Sequence, residues 1–223
     1  MTVKAVLLDL GLTLTRTASF PEIYVSILAR FGVTVSVDDV VKAQKATEKE
    51  FDVSTYSDEV RKEFWTRYNT ALIGKLGVKE NQTFLASQID ELWWNYSSVR
   101  LFSDVEPTLS GLRAKGLKLA LVSNGYTPDI EHVLAELDLK KWFDVIVCID
   151  SCNCAKPDKR IFMFALQQLG VTADETVFVG DSIEYDYAGA KAVGIKPFLI
   201  DREGKLPRGY DRIRSLTDLL TLV

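Results

Sequence analysis

The sequence predicts an α/β fold, a doubly wound parallel sheet interrupted near its start by a long helical insertion. Three observations carry that prediction. The apolar run Lys4-Ala5-Val6-Leu7-Leu8 ends in a carboxylate at Asp9, as a buried parallel strand does at its C-terminal edge. From Pro21 to about Val99 the apolar residues recur at helical spacing only. From Leu101 onward, helical patterns alternate with short apolar runs, the mark of βαβ units.

In chain order, the first strand passes into Asp9-Leu10-Gly11-Leu12-Thr13-Leu14, where a glycine permits close backbone approach to a ligand and a hydroxyl follows. Within the insertion, Tyr24, Ile27, Leu28 and Phe31 form one stripe that ends at Gly32. Ser36-Val37-Asp38-Asp39 reads as a capping box, with Asp39 in the place more often held by Glu, and opens a helix toward Phe51. Ser57 is expected to cap a long helix carrying Val60, Phe64, Trp65, Tyr68, Leu72 and Leu76, stopped by Gly77. A fourth helix runs from about Gln82 to Tyr96.

Beyond the insertion, a helix from about Val105 to Lys115 precedes a strand from Leu117 to Val122. A helix from Asp129 to Leu137 and a strand from Phe143 to Ile149 follow. The next helix opens at Lys156-Pro157-Asp158, with Pro157 at an early helical position, and runs through Leu169. A strand from Thr176 to Val179, a helix from Tyr185 to Val193, a strand from Pro197 to Ile200 and a helix from Leu216 to Leu220 close the chain. No internal repeat or low-complexity linker separates the helical block, so it reads as an insertion between the first two strands of one sheet.

The 223 residues, 47% hydrophobic and 26% charged, suit one large domain or a domain with an insertion. A net charge of −4 with no basic block argues against a general nucleic-acid or membrane surface and favours small-molecule partners. No apolar run approaches the ~20 residues of a membrane span and no signal-peptide pattern opens the chain, so a cytoplasmic protein is expected. Cys148, Cys152 and Cys154 crowd together, but structural zinc sites use four ligands at set spacings and the only histidine, His132, lies upstream. Reduced thiols are the expectation.

Four strand ends offer Asp9, then Ser123 with Asn124, then Lys156, then Asp181 with Asp186. Right-handed crossovers bring such ends to one edge of a parallel sheet. Singly, each has a plain structural explanation: Ser123-Asn124-Gly125 is a good turn, Lys156 a surface lysine before proline, and Gly180-Asp181-Ser182 a helix cap. Jointly they are the set that phosphoryl transfer requires.

The order and spacing of Asp9-Leu10-Gly11-Leu12-Thr13, Ser123-Asn124, Lys156-Pro157 and Gly180-Asp181-Ser182-Ile183-Glu184-Tyr185-Asp186 resemble the four motifs of the haloacid dehalogenase-like (HAD) superfamily. Within it, the resemblance is to the subgroup whose helical cap follows the first strand, and it covers essentially the whole chain. It implies a Rossmann-like core of residues 1–15 and 100–223, a helical cap of residues 16–99, and a Mg²⁺-dependent hydrolase of a small phosphorylated metabolite. Asp9 would be the nucleophile, forming an aspartyl-phosphate. Mg²⁺ would be held by Asp9, Asp181 and the Gly11 carbonyl, with Asp186 a direct or indirect partner. Ser123 would bond a phosphoryl oxygen, backbone amides near Asn124 would cradle others, and Lys156 would neutralise Asp9 and the transferring group.

The resemblance also marks a departure. Phosphatases of this family carry a second aspartate two residues after the nucleophile, the proton donor to the leaving group; here that position is Gly11. A Mg²⁺-dependent phosphatase that is weak or selective for good leaving groups, or that takes its proton donor from the helical cap, is therefore the leading expectation. The alternatives are a 2-haloacid dehalogenase, whose relatives carry tyrosine there and need no metal, and a phosphate-binding or regulatory protein with little turnover.

Overall fold

Ala5–Leu8, all fully buried, form β1, the strand from which the rest of the architecture is laid out. The structure, a computed structural model, describes residues 2–51 and 61–223, with side chains for all of these but Arg61 and Lys62. The expected cap at Ser57 and the stripe residue Val60 lie outside the described residues. The chain divides into two compact units, Met1–Arg16 with Arg100–Val223, and Thr17–Val99.

In the first unit, β1 is followed by the two-residue β2 (Thr15–Arg16), which pairs antiparallel with β3 (Arg100–Leu101) where the chain re-enters. There follow α5 (Val105–Ala114), β4 (Lys118–Val122), α6 (Thr127–Glu136) and β5 (Val145–Val147), the helical numbering counting α1 to α4 of the second unit. Next come α7 (Ile149–Cys152), α8 (Lys159–Leu169), β6 (Thr176–Gly180), α9 (Gly189–Ala192), β7 (Lys196–Ile200), β8 (Arg212–Ile213) and α10 (Leu219–Leu222). Apart from β2 and β3, the strands form a six-stranded sheet in the order β5-β4-β1-β6-β7-β8, with every pairing in it parallel. Leu8 lies between Leu121 of β4 and Val179 of β6, so the residues that follow these three emerge at one edge. The apolar face of α8, including Ile161, Phe162 and Ala165, packs with Leu7, Ala120, Val147 and Phe178 beneath that edge. Burial of this kind, ~25 cal/mol per Å² of apolar surface, holds the strand ends in register.

The second unit is helical: α1 (Phe20–Arg30), α2 (Val37–Thr47), α3 (Arg61–Lys75) and α4 (Gln82–Ser97). Its core joins Tyr24, Ile27 and Leu28 to Leu72, Ile73, Leu85 and Ile89. The Ser36 capping box forms as its residue types dictate, with Ser36 Oγ accepting from Asp39 N–H at 3.1 Å. Gly32 and Gly77 take φ of 77° and 81°, conformations that end helices. Phe20 stacks on Tyr24 with ring centroids 4.5 Å apart, and Phe64, Trp65 and Tyr68 pack on one another. No helix among the described residues is long and apolar enough to cross a membrane.

Several local expectations are corrected. The fifth strand is shorter than Phe143 to Ile149, because Asp144 turns its carboxylate to Arg113 and the Leu119 N–H while Cys148 already precedes α7 as its N-cap. Pro157 stands ahead of α8 rather than inside it: Asp158 is the N-cap, accepting from Arg160 N–H at 2.9 Å. The helix expected from Tyr185 begins earlier, as a π-helical turn at Ile183–Ala188, and the last helix opens with a 3-10 turn at Leu216–Asp218. Cys152 and Cys154 are not free thiols but a disulfide, Cα–Cα 5.4 Å, because Asn153 takes a left-handed φ of 49° and turns its two neighbours toward each other. Cys148 is a buried free thiol, and burial pushes it up to about 12.

Candidate active site

Asp9 extends β1 by one ladder bond, its N–H donating to the Val179 carbonyl at 2.9 Å, and the chain then turns sharply. Leu14 and Thr15 both donate N–H to the Leu10 carbonyl at 2.9 Å, and Leu12 occupies the left-handed region at φ 57°. The turn directs the fully buried Thr13 back at Asp9, where its Oγ1 donates to Asp9 Oδ2 at 3.0 Å. The other carboxylate oxygen, Oδ1, accepts from Lys156 Nζ at 2.6 Å. Both oxygens of Asp9 are thus fixed by neighbours on its own chain.

Lys156 is 3% exposed and also donates to Asp186 Oδ1 at 2.7 Å. Its backbone is held by Asn124, at the end of β4: Asn124 Oδ1 accepts from Lys156 N–H at 2.7 Å and Nδ2 donates to the Lys156 carbonyl at 2.9 Å. The Asn124 side chain is therefore committed to placing Lys156. Ser123, nearly buried beside it, accepts on Oγ from the Gly125 N–H at 3.2 Å.

Asp181 follows β6, and the π-helical turn after it carries Asp186 back under Gly180. Asp186 Oδ2 accepts from Ser182 N–H at 3.0 Å, while the Asp186 and Tyr187 N–H groups both donate to the Ser182 carbonyl. The wide turn needs a close approach at Gly180, where a Cβ would run into the Asp186 carboxylate. Asp9, Asp181 and Asp186 each bring one oxygen into a group whose members lie within 4.8 Å of one another.

The electrostatics follow from that crowding. Burial, then the charges of Asp9 and Asp186, push Asp181 up to about 7. Burial also raises Asp186, outweighing the pull of Lys156. For Lys156, burial works against the ammonium, but Asp9 and Asp186 together outweigh it and hold its pKa above the usual value. Three carboxylates against one ammonium form a site short of positive charge. All-oxygen donors of this kind suit a hard cation such as Mg²⁺.

Asp9, Lys156, Asp181 and Asp186, drawn from three separate stretches of sequence, are therefore brought together. Gly11 lies in the turn after Asp9, exposed, and a Cβ built on it meets nothing within 4 Å. Sequence reasoning did not foresee the Asn124 clamp on Lys156 or the steric need for Gly180. The second had a visible signal, a glycine directly ahead of the acidic turn at the end of a strand.

Residues 3–194 match the family model described as haloacid dehalogenase-like hydrolase. Haloacid dehalogenase-like hydrolase domain-containing protein 3 of Mus musculus is 40% identical over 114 residues, 50% of this chain and 45% of that protein. Glyceraldehyde 3-phosphate phosphatase of Methanopyrus kandleri is 28% identical over 235 residues, covering 98% and 97% of the two chains. The crystal structure of 2-haloacid dehalogenase from Pseudomonas syringae pv. Tomato DC3000 superposes with a TM-score of 0.69 at 23% identity, over 99% of this chain and 98% of that one, a likeness of fold. The chain spans about half the length of the mouse protein and of other curated relatives it matches. Since the family match runs through most of the sequence, including every segment that supplies a residue to this edge, the chain belongs to the haloacid dehalogenase-like hydrolases.

Proposed function

We propose that the protein is a Mg²⁺-dependent phosphatase of a small phosphorylated metabolite, working through an aspartyl-phosphate at Asp9. The observation that carries the reading is the convergence of Asp9, Lys156, Asp181 and Asp186 at one sheet edge, with Lys156 bonded to both Asp9 and Asp186. The similarity to a glyceraldehyde 3-phosphate phosphatase along almost the whole chain supports the substrate class. Asp9, Asp181, Asp186 and the Gly11 carbonyl would hold the ion. Bound there, Mg²⁺ offsets the repulsion between the carboxylate and an anionic phosphate.

The steps assigned to the protein's own groups are few. One Asp9 oxygen attacks phosphorus, the bond from phosphorus to the leaving oxygen breaks, and that oxygen departs with the electron pair. Lys156 steadies Asp9 and the negative charge that gathers on the transferring group, while Ser123 and the amides of the neighbouring turn bind phosphoryl oxygens. Water then cleaves the aspartyl-phosphate and restores Asp9. With glycine at position 11, no side chain there donates a proton to the leaving oxygen or takes one from the water. Leaving groups stable as anions are therefore favoured, and turnover of the aspartyl-phosphate is slow.

Hydrolysis of an aryl phosphate with and without Mg²⁺, beside an Asp9→Asn variant, tests the reading. Metal-dependent turnover lost in the variant is the expected result; equal rates in the two proteins would end it. The fold likeness to a 2-haloacid dehalogenase favours a second reading, and halide release from a 2-haloacid without Mg²⁺ would install it in place of the first.

A further inference from the structure

We infer that Arg202, at the far end of the chain, is a positioning residue for the nucleophile, acting through the Thr13 carbonyl to hold the Thr13 hydroxyl on Asp9. The inference deepens the phosphatase reading and rests on it for its kinetic consequence.

Arg202 lies two residues past the end of β7, with its side chain 19% exposed. Its guanidinium grips Asp104 with both arms, Nη1 to Oδ2 at 2.7 Å and Nη2 to Oδ1 at 3.0 Å. Nη2 also donates to the Thr13 carbonyl at 2.9 Å. The flat face of the group lies 3.9 Å from the centroid of the Phe102 ring. Nε is buried without a partner, so the group is aimed at Asp104 and Thr13 at the expense of one of its own donors. Asp104 is itself held by Ser215 Oγ at 2.7 Å and by the Leu216 N–H at 2.8 Å. The anchor is therefore rigid, and the planar fork meets both Asp104 oxygens while one of its arms also reaches the Thr13 carbonyl, a geometry that a lysine ammonium reproduces only in part.

What the anchor holds is the turn that shapes the site. Thr13 is gripped at both ends, its carbonyl by Arg202 and its hydroxyl donating to Asp9 Oδ2. Since Lys156 holds the opposite oxygen, the Thr13 bond is what keeps the Asp9 carboxylate from rotating about its own axis. Misplacement of a reacting group by ~1 Å costs on the order of 10²-fold in rate, so a partial loosening of this bond should cost about tenfold. Binding of the phosphate itself, which does not run through this contact, should change little.

The test compares Arg202→Met, Arg202→Lys, Thr13→Val and the Arg202→Met/Thr13→Val double variant. Aryl phosphate hydrolysis is measured with Mg²⁺, and hydrogen exchange is followed at the backbone amides. Expected are a kcat about tenfold lower in Arg202→Met with KM within about twofold, partial recovery in Arg202→Lys, and a further loss below about twofold when Arg202→Met is added to Thr13→Val. The Leu14 and Thr15 amides should exchange faster in Arg202→Met while those of β4 do not. An unchanged kcat, or a full tenfold cost in the Thr13→Val background, overturns the catalytic role; unchanged exchange at the turn overturns the clamp itself. If the unaltered protein hydrolyses no ester, it is the phosphatase reading that fails, and exchange at the turn still decides whether Arg202 holds it.

Discussion

Replacing Gly11 by aspartate restores a carboxylate where phosphatases of this family keep their proton donor. The structure accommodates it: a Cβ at Gly11 meets nothing within 4 Å, the residue is exposed, and its φ lies outside the left-handed region that would strain a side chain. Folding stability should change little in the presence of Mg²⁺, because the loss of a glycine from the unfolded chain is set against a further carboxylate beside an acidic site. The kinetic effect is much larger. A positioned general acid contributes ~10²- to 10⁴-fold, or about 3–5 kcal/mol of barrier, and nearly all of it should appear with poor leaving groups. The assay is the dependence of kcat/KM on leaving-group acidity across a series of aryl and alkyl phosphates. The unaltered protein should show a steep dependence, and Gly11→Asp a shallow one, with alkyl phosphates gaining at least ~10² and aryl phosphates less than about tenfold. A variant that folds and binds Mg²⁺ normally, yet leaves alkyl phosphates unimproved, would refute the assignment of the missing donor to position 11.

Lys156→Met should remove all detectable turnover and destabilise the fold by ~3–5 kcal/mol, since it leaves buried carboxylates without their cation; in thermal melts, Mg²⁺ should recover more of the loss in the variant than it adds to the unaltered protein. The raised pKa of Asp181, about 7, sets a pH dependence. In the metal-free protein the unfolded chain gives up this proton more readily, so stability from this group falls as pH rises from about 4 to 7 and then levels. Mg²⁺ competes with that proton, and the gain in Tm on adding Mg²⁺ should grow between pH 6 and 8; an equal gain at both ends would count against Asp181 as a ligand. Gly180→Ala forces a methyl group against the Asp186 carboxylate, which should cost ~1–3 kcal/mol and abolish the Mg²⁺-dependent rise in Tm.

The parallel sheet and the placing of Asp9, Ser123 and Asp181 at its edge were legible because they depend on short local patterns: apolar runs four or five residues long that lead into a polar group. The Ser36 box was legible for the same reason, since both partners lie within one turn. What escaped depends on distant partners or on unusual backbone. Nothing near Asn124 announces that its amide will bracket Lys156, 32 residues away, and nothing near Arg202 points to Thr13, 189 residues earlier. The π-helical turn at Ile183–Ala188 has no pattern of its own and arises because Asp186 must return beneath Gly180. The edge strand β8 is two residues long, below the length at which alternation is readable. The disulfide was hidden by the usual inference from cysteine count, which takes no account of a left-handed residue between neighbours.

The most direct test of the account is the capture of the covalent intermediate. The protein is mixed with an aryl phosphate and Mg²⁺, quenched in acid within one turnover, and the peptide containing Asp9 is analysed by mass spectrometry. A phosphoryl group on Asp9 that forms before product accumulates, persists because no side chain at position 11 assists its hydrolysis, and is absent from Asp9→Asn is the predicted result. Turnover at the same rate with no phosphoryl group on Asp9 at any quench time would contradict it.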